Sequence, residues 1–221
     1  MKSRELKKIF HEILIKDDWQ KQISPYLKLS PSQLINPLIS LLYNEQAIIK
    51  WHAITMIGQS IAKYAHEDKE SARTIIRRFM WYLNEESGGV GWGIPESFGE
   101  ILSNYDWMAK EYASILIYYI IPGGTFLDLE ALQTGVIWGI GRAAQGNRKY
   151  VDFAGNHLVP FLQATNKEHR GMALWAMKQL DFVPPANLMT SLKNDNHTLK
   201  IYDDCLLKDI SIADLARQLV Y

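Results

Sequence analysis

The sequence predicts an all-α fold, a stack of paired helices repeating about every forty residues. One helical phrase recurs four times, as KWHAITMIGQ at 50–59, GWGIPESFGE at 91–100, TGVIWGIGR at 134–142 and RGMALWAMKQ at 170–179. With Gly58, Gly99, Gly141 and Lys178 taken as equivalent, the spacings are 41, 42 and 37 residues. A second marker is independent of the first. Asn44, Asn84, Gly124 and Asn166 follow the intervening helices at spacings of 40, 40 and 42, and Asn and Gly tolerate the left-handed conformation that closes a helix. A two-helix period of this length marks an α-solenoid, in which each unit buries its apolar face against its neighbours. The expected architecture is a right-handed α-α superhelix of about four to five pairs forming one domain. Residues 1–29 cap the start, 30–194 hold the repeats and 195–221 cap the end.

Each pair should contain an outer helix, a turn and an inner helix carrying the shared phrase. Residues 3–23 read as one or two capping helices. The first outer helix opens at Ser30-Pro31-Ser32-Gln33, which combines an N-cap serine, proline at the first helical position and a capping-box glutamine. It runs through Leu34, Leu38, Leu41 and Leu42. The second spans about 68–83 with Ile75, Phe79 and Leu83 on one stripe. The third covers about 107–121 and stops at Pro122-Gly123-Gly124. The fourth, about 150–163, contains Pro160, which should kink it or loosen its last turn. A shorter helix follows Pro184-Pro185. Beyond it, weak alternation around Asp203-Asp204 suggests a small hairpin, and Ser211 with Asp214 offers a cap for a final helix ending near Val220.

Composition narrows the function classes. A chain that is 48% hydrophobic with seven Trp has ample core material, which excludes disorder. The balance of 24 basic and 24 acidic residues gives no global pull towards nucleic acid or an anionic membrane. Cys205, the single cysteine, excludes an internal disulfide or a cysteine-based zinc site, and reads as a bystander rather than a nucleophile. The longest apolar run, residues 113–121, falls far short of the roughly 20 residues that span a bilayer. The N-terminus lacks the pattern of a signal peptide. A soluble, cytoplasmic protein without membrane contact is expected, and the sequon at Asn196 reads as chance. The six histidines include no H-E-x-x-H and no pair three or four apart, so no metal or cofactor site is expected.

Aligning the four phrases separates core from candidate surface. Ala53, Ile57, Phe98, Val136, Ile140 and Ala173 form an apolar stripe, which is core. Gly58, Gly99 and Gly141 share the adjacent register, where a mid-helix glycine costs roughly 1 kcal/mol relative to alanine and so points to close approach of a neighbouring helix. The third stripe is mixed. It carries Trp51 and Thr55, then Glu96 and Glu100, then Trp138 and Arg142, then Trp175 and Gln179. Pro95 places Trp92 in the turn before its helix. On a concave face this stripe would form a ladder of indoles and polar groups suited to a peptide or a flat ligand. Packing between helices is the competing reading, favoured for Trp51 and Trp175 and evenly balanced for Trp92 and Trp138.

Four glycines fall within 88–93, including Gly89 and Gly91. The loop fits neither a dinucleotide fingerprint nor a P-loop, and reads equally as a turn needing glycine or as a rim of a site. Glu96 and Glu100 lie one turn apart, with Arg142 at the register of Glu100 one repeat on. An exposed ion pair worth roughly 0–1 kcal/mol is favoured there over a carboxylate pair for a cationic ligand or acid–base chemistry.

The paired-helix period over residues 30–194 resembles the HEAT-repeat branch of armadillo-type proteins. The runs NEESGGVGWGIPESFGE at 84–100, WGIGR at 138–142 and RGMALWA at 170–176 resemble an uncharacterised bacterial group sometimes labelled phycobilin-lyase-like. The resemblance implies a scaffold that holds peptides or proteins on its concave face, and it implies little about chemistry. The resulting expectation is a non-enzymatic interaction module binding a protein segment, or a small ligand, across Trp92, Glu96, Glu100, Trp138, Arg142 and Trp175, with Gly89 and Gly91 on the rim. Two alternatives stand beside it. A nucleic-acid enzyme like the HEAT-like DNA glycosylases is disfavoured by the acidic residues of the groove. A structural subunit of a larger assembly would show an exposed apolar patch on the convex side.

Overall fold

A computed structural model of the chain describes residues 2–84 and 90–219. Among them are twelve α-helices and one two-stranded sheet. The N-terminal helices α1 (Ser3–Leu14) and α2 (Trp19–Ile23) precede α3 (Pro31–Ile39), α4 (Ala47–Glu67) and α5 (Lys69–Asn84). Then come α6 (Ile94–Asn104), α7 (Asp106–Tyr118), α8 (Glu130–Asn147), the short α9 (Ala154–Leu158) and α10 (Lys167–Gln179). The chain continues with α11 (Ala186–Leu192), the antiparallel strands β1 (Thr198–Asp203) and β2 (Leu206–Ser211), and α12 (Ile212–Gln218). No helix among the described residues is long and apolar enough to cross a membrane.

The four phrase-bearing helices pack in sequence, α4 on α6, α6 on α8 and α8 on α10, and α3, α5 and α7 pack beside this row. Local sequence explains most boundaries. At the start of α3 the Ser30 N–H donates to the Gln33 side chain at 3.2 Å, and Pro31 occupies the first helical position. Ser211 Oγ accepts the Asp214 N–H at 3.0 Å to begin α12. The stripe assigned to the core is buried, including Ile57, Phe98, Val136 and Ile140. Close approach is sharpest between α6 and α8. A β-carbon at Gly99 would lie 2.2 Å from the Gly139 Cα, so neither helix could come this near with any larger residue.

Two segments depart from the sequence reading. The fourth outer helix is not continuous. Residues 148–150 and 159–163 are 3-10 turns flanking the five-residue α9; Pro160 offers no N–H to the turn before it, which accounts for the second of them. The hairpin turns one residue later than the alternation suggests, through Asp204 and Cys205, at φ of 52° and 59°. Left-handed conformation at both central residues is the type I′ turn, whose twist matches the strands it joins.

Candidate functional site

The mixed stripe of the phrase-bearing helices converges on one aromatic stack, built on α4, α8 and α10. Trp51 and Trp138 have ring centroids 4.7 Å apart, and Trp138 lies parallel to Trp175 at 6.0 Å. The ladder expected from the repeat is therefore present, but it is not an open surface. The hairpin crosses it. Tyr202 of β1 stacks on Trp51 at 5.0 Å with planes 10° apart. Its hydroxyl and Thr55 Oγ1 are hydrogen-bonded at 2.9 Å, and Trp138 Nε1 donates to the Tyr202 carbonyl at 2.9 Å. Trp138 is 1% exposed in consequence. Burial pushes the Tyr202 phenol far above its ordinary pKa, so it stays neutral.

Two carboxylates of α6 lie beside this stack. Glu100 is expected at the surface; it is instead buried, with its side chain 3% exposed and that of Arg142 30% exposed. Arg142 Nε donates to Glu100 Oε2 at 2.7 Å and Nη2 donates to Oε1 at 3.1 Å, a two-pronged contact that fixes both groups. Burial opposes the charge on Arg142, but hydrogen bonds and attraction from Glu100 outweigh it and hold its pKa above the usual arginine value. Glu96, one turn earlier, accepts from Lys50 Nζ at 2.9 Å. Glycines in the neighbouring helices make the room. A β-carbon at Gly58 would lie 2.6 Å from Glu100 Cγ, and one at Gly135 would lie 2.6 Å from Glu96 Oε2.

Two hollows adjoin the stack, and Tyr202 lines the smaller of them. This cavity of about 180 Å³ is lined by Thr55, Glu100, Trp138, Arg142, Tyr202 and Cys205, among others. The larger, a trough of about 500 Å³, takes residues from the first turns of all four helices, including Lys50, Trp51, Thr134 and Met172, with Leu199 and Lys200 of β1 along its edge. Its charged lining is Lys50, Glu96, Glu130, Glu168 and Lys200, one excess negative charge.

The structure thus brings Glu96, Glu100, Trp138, Arg142 and Trp175 together and leaves the other candidates apart. Trp92 precedes α6 in a turn, 36% exposed, and lines neither space. Gly91 packs against α5, where a β-carbon would come within 3.2 Å of Leu83 and of the Tyr82 carbonyl. Gly93 adopts φ of 74° at the N-cap of α6, so this part of the loop is turn geometry. Gly89 lies outside the described residues. Sequence reasoning missed Tyr202, Lys200, Met172 and Leu129. Lys50 and Trp51 stood on the phrase; Lys50 finds its partner in Glu96 of α6, but Trp51 finds Tyr202 in the hairpin, whose docking no repeat could indicate.

No protein-family model matches the chain. An uncharacterized protein of Archaeoglobus fulgidus is 30% identical over 122 residues, which are 53% of this chain and 56% of that protein. The chain thus spans about half the length of that relative. Two engineered proteins with crystal structures superpose with TM-scores of 0.41 and 0.44, at 14% and 15% identity. These matches cover 86% and 97% of this chain and 84% and 96% of theirs.

Proposed function

We propose that this protein is a HEAT-like α-solenoid, a right-handed superhelix of four to five helix pairs, that works in the cytoplasm as a binding module for a segment of another protein. The trough beside Tyr202 carries this reading. Its volume of about 500 Å³ falls within the range of ligand sites, and its lining mixes apolar groups, Trp51, Leu129, Met172 and Leu199, with polar and charged ones. Trp51 is half-buried and presents aromatic surface there, while Leu129 is exposed at the mouth. Binding is favoured over acid–base catalysis because Glu96 and Glu100 are each held by a cation, Lys50 and Arg142. Duplex DNA is disfavoured by three carboxylates against two lysines in the lining, since phosphate contacts supply much of such affinity.

The test places a photo-crosslinking benzoylphenylalanine at Leu129 and compares the native trough with Ala131→Trp, an exposed lining position where an indole would fill the mouth. A partner captured by the first and lost in the second supports the reading. Capture that is indifferent to Ala131→Trp refutes it.

A further inference from the structure

The two-residue turn fixes the hydrogen-bond phase of the hairpin. Asp203 and Leu206 face each other across it and close it as a bonded pair, so bonded pairs recur at Ile201 with Lys208 and Leu199 with Ile210. The Ile212 N–H, 3.0 Å from the His197 carbonyl, continues the same phase. Thr198, Lys200 and Tyr202 therefore turn their main-chain groups away from β2, towards the outer edge of β1. What that edge meets is visible at both ends. Lys167 Nζ donates to the Thr198 carbonyl at 3.0 Å, and Trp138 Nε1 donates to the Tyr202 carbonyl at 2.9 Å. Between them Lys200 lines the trough, and neither its N–H nor its carbonyl has a protein partner among the described residues.

We propose that the trough takes an extended peptide segment that adds to the outer edge of β1, exchanging a pair of main-chain hydrogen bonds with Lys200. This deepens the binding reading above and rests on it. A strand edge recognises any extended backbone, and pockets for alternate side chains supply the selectivity. Here the residues flanking the paired one share the face of Leu199, which packs on α10 at Gly171. They should be apolar, because α10, on which Leu199 packs, presents Met172 to the trough. Charge selects basic residues further out. Glu96 has its ion pair with Lys50, whereas Glu130 is met by the neutral Asn166 amide at 2.8 Å and Glu168 by Lys167 only at 3.8 Å. The free edge of β2 offers no comparable slot. It carries Lys208 and Asp209 in the open, the usual protection against unwanted strand addition.

The probe is fluorescein-labelled Lys-Leu-Thr-Leu-Lys with a blocked C-terminus, titrated with the full chain by fluorescence anisotropy. Methylating the threonine nitrogen removes the donor to the Lys200 carbonyl without touching the protein. Lys200→Pro removes the outward N–H at a position where an edge strand tolerates proline. Each should weaken binding about three- to tenfold, the worth of one net hydrogen bond. Exchanging both lysines for glutamates should weaken it likewise, and Ala131→Trp should abolish it. Equal binding of the methylated peptide, or no saturable binding of the parent, overturns strand addition. If the methylated peptide binds as the parent does while the Leu129 cross-link is lost in Ala131→Trp, the trough still binds a partner and strand addition alone falls.

Discussion

Removing Arg142 should expose how much the buried carboxylate of α6 depends on it. In Arg142→Met, Glu100 loses donors at 2.7 and 3.1 Å and keeps the Asn104 amide, 3.2 Å from Oε1. Breaking a buried pair from one side costs about 3–5 kcal/mol, mostly as the penalty of a buried charge left alone. Arg142 is 30% exposed and the 180 Å³ cavity beside it can admit water, so the lower part of that range applies, about 3–4 kcal/mol. Glu100→Gln keeps the shape and leaves a cation that can hydrate, costing about 1–2 kcal/mol. With both changes no charge remains to be stranded, so the double variant should be more stable than the sum of the singles implies by about 1–3 kcal/mol. Urea unfolding of the four proteins by circular dichroism measures the cycle. The matched control is Arg73→Met, whose pair with Glu111 lies at the surface and is worth about 0–1 kcal/mol. An Arg142→Met cost no larger than that of Arg73→Met would refute the buried-pair argument.

Three further outcomes follow from particular contacts. Gly99→Ala should lower the thermal midpoint, because a β-carbon 2.2 Å from the Gly139 Cα forces α6 and α8 apart; an overpacking cost of about 1–3 kcal/mol exceeds the roughly 1 kcal/mol gained in helix propensity. Trp138→Phe deprives the Tyr202 carbonyl of its donor and should cost about 1–3 kcal/mol, with proteolysis of the hairpin accelerated while α4–α8 stay protected. His52 is buried, stacked on Trp19 at 4.5 Å, and burial holds its pKa below the ordinary value despite hydrogen bonds to the Leu14 and Cys205 carbonyls. The unfolded chain therefore binds the proton first, so stability should be complete above about pH 6.5 and decline as pH falls from there towards the folded-state pKa. Urea midpoints taken between pH 7.5 and 5 should show this slope, and His52→Gln should flatten it.

The helix periodicity was legible because it is written in local chemistry. Ser30 with Gln33 and Pro95 at the start of α6 act within a turn or two of where they stand. The Asn and Gly marker kept the period but not the geometry expected of it: none of Asn44, Asn84, Gly124 and Asn166 takes a positive φ, and Asn166 instead caps the start of α10 by accepting the Glu168 N–H. Pro160 was legible too, but not its full consequence. A kink and a broken helix differ by tertiary packing, and at α9 that packing includes Phe182, which a β-carbon at Gly155 would meet at 2.1 Å. The indole ladder could be read from the register of Trp51, Trp138 and Trp175. Its occupant could not. Tyr202 lies 151 positions after Trp51, in the segment that breaks the repeat, and weak alternation states that a hairpin forms without stating where it docks.

The glycines carry the same lesson in sharper form. One register, read as helix approach, serves two different purposes. Gly99 allows the backbones of α6 and α8 to meet, as expected. Gly58 instead clears space for the Glu100 side chain, and Gly135, outside that register, does so for Glu96. Two acidic residues four apart on α6 can be buried because the helix on each side omits a β-carbon opposite one of them and supplies a cation, Lys50 from α4 and Arg142 from α8. These charges are consumed in holding the row of helices in register. Selectivity for a partner must then come from groups the fold holds less tightly, the main chain of Lys200 and the exposed Glu130 and Glu168 at the mouth of the trough. Charge-reversing Glu130 and Glu168 should therefore alter which peptide binds without the loss of stability that follows any change at Glu100.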